Sequence, residues 1–157
     1  MKTSHLAVAL IGALMLLPAG VFADSHVMQN LSDTKWGPAP PSLPPGAKVA
    51  VLQGDPGGSG LYTLRLSLPA NYRIPAHSHP NDEHVTVLSG TLYAAMGDKL
   101  DPKAGKALGV GGFALMPAGM NHYAYTKKQT TILLHGMGPL ELKYVNPADD
   151  PRNAQKK

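Results

Sequence analysis

The chain has 157 residues, a formal net charge of +4 and no cysteine. That length fits one domain, the lack of thiols excludes a disulfide framework, and the scattered basic residues form no stripe for nucleic acid. Seventeen glycines and fifteen prolines against 15% charged residues favour short strands and turns over long helices.

Taken in order, the chain opens on what reads as a secretory signal peptide. Lys2 supplies a positive end, and residues 6–17 form an apolar run about half as long as a membrane span. Pro18 and Gly20 break the run, and Val21 and Ala23 place small residues before a cleavage point. Cleavage after Ala23 leaves thirteen basic and ten acidic residues, a net charge of about +3. The expected location is exported, periplasmic before fully secreted, with no stable membrane insertion. A chain cut there begins Asp24-Ser25-His26. Its α-amine, two backbone amides and third-position imidazole can wrap Cu(II) or Ni(II) in a square plane. A coincidental histidine in a loose end is the plainer alternative.

Residues 24–46 read as an extended arm, because Pro38, Pro40, Pro41, Pro44 and Pro45 forbid helix and deny backbone donors. Trp36, the one tryptophan, is expected to pin this arm onto the β domain or a partner subunit. From residue 47 the pattern turns to β. Residues 48–52 form a short strand, and residues 61–68 alternate, with Leu64, Leu66 and Leu68 on one face and Thr63, Arg65 and Ser67 on the other. Further strands are expected at 74–79, 83–88, 92–96, 113–116, 122–126, 130–135 and 140–145, with Ser89-Gly90 as a turn. Residues 98–111 read as a polar, glycine-rich surface loop, and 147–157 as a polar tail.

The chemistry concentrates at His77-Ser78-His79-Pro80-Asn81-Asp82-Glu83. Histidines at i and i+2 of a strand face the same way. Glu83 follows across a short bend, and His122 arrives from a later strand. Three imidazoles and one carboxylate form a nitrogen/oxygen set that suits a divalent transition metal, with no thiolate to restrict it to softer ions. Ligands from separate strands converge most easily inside a small barrel, which argues against an immunoglobulin-like sandwich.

His77-x-His79-x3-Glu83-x6-Gly90 resembles the first motif of the cupins, and Gly111-x5-Pro117-x-Gly119-x2-His122 resembles their second. Twenty residues separate the two, and the likeness covers roughly residues 60–130. Thr126 stands where the family often has asparagine. The chain is also similar to small exported bacterial cupins with a proline-rich arm and an Asn-Pro-Ala-Asp-Asp-Pro tail. The resemblance implies an all-β jelly-roll barrel over residues 47–146, often a homodimer, with one divalent metal (Fe, Mn, Zn, Ni or Cu) on His77, His79, Glu83 and His122. It does not imply a reaction, since a fold hosts many chemistries.

Other residues are read beside this set. Glu83 is also a candidate general base. His135, in an apolar strand, is a candidate for a supporting or substrate-facing role, with a hydrogen-bonded core histidine as the alternative. His84, Tyr123 and Tyr125 fall on the opposite face by alternation. Met96, Met116 and Met120 read as core filler. Arg65 or Arg73 would clamp an anion only if strand parity failed. The expected function is that of a metal-dependent enzyme, of oxygenase or lyase/isomerase type, on a small chelating molecule. The alternative is a non-catalytic sensor or scavenger.

Overall fold

The structure is a computed structural model that describes residues 26–154. The signal-peptide segment, Asp24 and Ser25 lie outside the described residues, and with them the expected cleavage point and most of the amino-terminal copper motif; His26 is exposed. Among the described residues no helix is long and apolar enough to cross a membrane.

Among the described residues eleven strands build two antiparallel sheets. In chain order they are β1 (Gly37–Pro38), β2 (Lys48–Gln53), β3 (Leu61–Leu68), β4 (Arg73–Ser78), β5 (Glu83–Ser89), β6 (Leu92–Met96), β7 (Lys106–Leu108), β8 (Phe113–Met116), β9 (His122–Thr126), β10 (Thr130–Met137) and β11 (Lys143–Tyr144). One sheet runs β1-β2-β3-β10-β5-β8 and the other β11-β4-β9-β6-β7. From β3 onward consecutive strands cross between the sheets, except that β6 and β7 are neighbours in one, which is the jelly-roll arrangement expected from the sequence.

The core lies between the sheets. Leu64, Leu66 and Leu68 of β3 meet Leu134 and Ile132 of β10, and Val85 and Val87 of β5 continue the same face. Period-two alternation puts these side chains on one side and the polar set on the other. A second apolar cluster, Ala76, Tyr123 and Tyr125, sits on the outer face of the five-stranded sheet. Residues 98–105 cover it, and the Tyr123 and Tyr125 hydroxyls donate to the Asp101 and Pro102 carbonyls at 3.3 and 2.6 Å. The stretch read as a surface loop therefore packs as a cover and also contributes β7, which pairs with β6. The expected strand at 140–145 is shorter, because residues 138–142 cross the open edge of the sandwich before β11 begins.

The proline-rich arm is tied to the domain at several points. β1 pairs with β2, Leu43 enters the core, and the Tyr72 and Tyr144 hydroxyls donate to the Pro44 and Ser42 carbonyls. Trp36 is half-buried, whereas Leu43 is buried among core residues. Further back, the Arg65 guanidinium reaches the Asn30 carbonyl at 3.1 Å and the Thr34 hydroxyl. Arg65 thus stands on the outer face holding the arm, and Arg73 is exposed, so neither points into the barrel.

Gly90 makes the tight turn between β5 and β6 with φ of +76°. A Cβ there would sit 2.5 Å from the Gln129 carbonyl oxygen and 2.7 Å from the Thr130 hydroxyl. Left-handed backbone costs a non-glycine residue roughly 1–2 kcal/mol before any clash. Gly90→Ala is therefore expected to lose at least about 2 kcal/mol of stability in denaturant unfolding.

Candidate metal centre

His77 lies directly across from His122 in the β4–β9 pair. Simple alternation along β4 would put Ile74 and His77 on opposite faces. The register shifts between those two residues, so Ile74 joins the core, Ala76 turns outward, and His77 turns back in. His79 follows β4 by one residue, and its carbonyl accepts from the Gly119 amide at 2.8 Å. That bond ties the turn before His122 to the turn after His77. Glu83 opens β5, opposite Met116 and Gly136.

The result is a convergent cluster. One ligand nitrogen from each of His77, His79 and His122 lies within 4.8 Å of the others, and all three residues are buried. Glu83 stands beside them, with one carboxylate oxygen 3.6 Å from His79 Nε2 and the other 4.0 Å from His122 Nε2. Those separations are too long for hydrogen bonds.

The rings are oriented by backbone. His77 Nδ1 is 2.7 Å from the Pro75 carbonyl, His79 Nδ1 2.6 Å from the Glu141 carbonyl and His122 Nδ1 3.1 Å from the Met120 carbonyl. A carbonyl only accepts, so each Nδ1 carries the proton and each Nε2 keeps its lone pair. Nε2 of His79 and of His122 is buried without a hydrogen-bond partner among the described residues. Buried nitrogens are rarely left so, and a cation at the point they share would satisfy them.

Electrostatics agree with that reading. Burial, reinforced by the neighbouring His122 and His79, holds His77 down at about 3. Burial also lowers His79 and His122. The imidazoles are therefore neutral, the form that ligates a metal. Burial pushes Glu83 up to about 7, against the opposing pull of His122 and His84. A cation would reverse that shift.

The remaining candidates separate from the cluster. His135 stands across from His84 on the outer face of the six-stranded sheet, the two rings stacked at 4.8 Å. The expectation that it supports the site or faces substrate is corrected by parity: Leu134 and Gly136 take the inner side. Thr126 spends its hydroxyl on the Pro69 carbonyl and the Tyr72 amide, bracing the β3–β4 turn rather than the ligands. Met116 lines the cavity beside the cluster, while Met96 at the end of β6 and Met120 in the turn before β9 are exposed. The sequence reading missed the roles of Pro75, Met120 and Glu141. Their carbonyls act and their side chains do not, so no residue-type signal marks them.

Fold and site together define a cupin with a three-histidine centre. Residues 24–141 match the ChrR cupin-like domain, and the chain belongs to that family. No curated protein matches it. Among solved structures it is similar to the polyketide cyclase RemF from Streptomyces resistomycificus, at 18% identity over 83% of this chain and 94% of that one, with a TM-score of 0.64. A candidate acetylacetone dioxygenase from Methylibium petroleiphilum is similar at 18% identity over 83% and 92% of the two chains, with a TM-score of 0.61. An RmlC-like cupin from Shewanella frigidimarina matches at 14% identity over 72% and 91%, with a TM-score of 0.55. At these identities the likeness concerns the fold.

Proposed function

We propose that the chain is an exported, periplasmic, metal-dependent cupin enzyme that acts on a small organic molecule chelating the metal. The observation that carries this reading is the set of inward, neutral imidazoles with Glu83 beside them. His77, His79 and His122 would hold the ion, and Glu83 would complete the set. A divalent ion held there supplies a Lewis acid that polarises an oxygen of the bound molecule. Around it the lining is apolar: Ile74, Val85, Ile132 and Leu134 line the same cavity. Glu83 stands beside the imidazoles, and if it left the ion its carboxylate could accept a proton from the bound molecule. Two of the structural neighbours carry names of enzymes on small organic molecules, which supports oxygenase or lyase/isomerase chemistry. Exposed Phe113, Leu115 and Met137 on the outer face, beside the His84–His135 stack, support a homodimer.

One observation favours a non-catalytic binding site instead. The cavity at the cluster holds only about 40 Å³, room for a few waters. Water-proton relaxation of the Mn(II)-loaded protein separates the two readings. Fast-exchanging water that a bidentate hydroxamate displaces is expected for the enzyme. A coordinatively closed site, silent to both, would leave the sensor or scavenger.

A further inference from the structure

A second cavity of about 390 Å³ adjoins the first. It fills the open edge of the sandwich, between the inner face of β2 and β3, the arm, and residues 140 and 142. Val49, Val51, Leu64 and Leu66 form its floor, and Pro38 and Pro40 of the arm form a wall. Among the described residues Ser42 is its one polar side chain, and no charged residue lines it. Leu43, Leu140 and Leu142 line both cavities, so three leucine side chains make the partition between them.

The walls are built rather than loose. The Leu140 amide donates to the Pro56 carbonyl at 2.7 Å, and Arg152 donates to the Leu142 carbonyl at 2.9 Å. His79 donates from Nδ1 to the Glu141 carbonyl at 2.6 Å. The backbone between the two gating leucines is thus bonded to a residue of the metal centre itself. On the arm side, the Tyr144 hydroxyl holds the Ser42 carbonyl at 2.7 Å.

We propose that this proline-walled vestibule binds the apolar body of an uncharged small molecule, whose oxygen atoms reach the histidine centre past Leu43, Leu140 and Leu142. The inference rests on the metal-dependent reading above and adds to it the class of substrate. The inner cavity is too small for anything beyond a chelating group. The outer one falls in the range of small-molecule sites. Its apolar lining offers a charged body no partner.

N-phenyl-1-naphthylamine, an uncharged dye that brightens in apolar sites, tests this on the metal-loaded full chain. Saturable binding is expected. Val51→Trp fills the vestibule and should weaken the dye at least tenfold while leaving metal content unchanged. His122→Ala should lose the metal and keep the dye, so failure of the metal reading registers separately. Octanohydroxamic acid should displace the dye from the metal-loaded protein at tenfold lower concentration than from His122→Ala, while acetohydroxamic acid displaces none. Equal displacement from both proteins would disconnect the cavities and overturn the proposal. So would dye binding that Val51→Trp leaves intact. No dye uptake by a chain that elutes as a dimer would assign the vestibule to a second copy, and overturn it too.

Discussion

His122→Ala is expected to bring bound metal from about one ion per chain to less than a tenth, read by elemental analysis after dialysis. Groups that merely orient a ligand cost about 10–100-fold in metal affinity. Removing one of three imidazoles should exceed that. A second readout follows from linkage. An ion at 100 times its Kd stabilises the folded chain by about 3 kcal/mol, or roughly 10 °C for a domain of this size. Wild-type protein should show that rise in melting temperature when metal is added, and His122→Ala should show none. A mutant that retains one ion and the thermal rise would remove His122 from the site.

Glu83→Gln is expected to act with opposite signs on the two forms of the protein. In the metal-free chain burial raises this carboxyl from 4.5 to about 7. A folded-state value above the unfolded one means that the folded chain prefers the protonated acid. Its contribution is fully favourable below about pH 4.5 and is lost as pH rises through 7. The penalty above that point is on the order of 3 kcal/mol. Glutamine has nearly the same shape and no charge. Metal-free Glu83→Gln should therefore melt roughly 10 °C above wild type at pH 8, with the gap closing by pH 4.5. The three histidines shift the other way and destabilise the fold as pH falls below about 6.5; Glu83 itself pulls His122 upward, so the comparison is made at pH 8, where all three are neutral in both proteins. With metal present the order should reverse, because the amide is a poorer ligand than the carboxylate. A mutant no more stable than wild type at pH 8 without metal would show that Glu83 is not buried as described.

Much of this was legible in the chain. The alternation of Leu64, Leu66 and Leu68 marks an inner face, and Gly90 marks a turn, the one that carries the chain from one sheet to the other. The His77/His79 pair needs only the two-residue repeat of a strand. Three things were not legible. The register shift before His77 depends on how β4 meets β9, a pairing between residues fifty apart in sequence. β7 hides in a polar segment because an edge strand beside Tyr93 needs few apolar residues. His135 looked inward because its neighbours are apolar on both sides; only pairing with His84 fixes its face. The vestibule is assembled from the arm, β2, β3, the Pro56-Gly57 turn and residues 140 and 142, and no local pattern could announce it.

The way the three rings are aimed has one more consequence. Each is held by a main-chain oxygen, and every amino acid carries one. Substitution at Met120 or Glu141, whose side chains are exposed, can thus leave the aim of the imidazoles undisturbed, provided the chain keeps its path. Such a centre tolerates drift at the positions that aim it, and the coordination geometry is inherited unchanged.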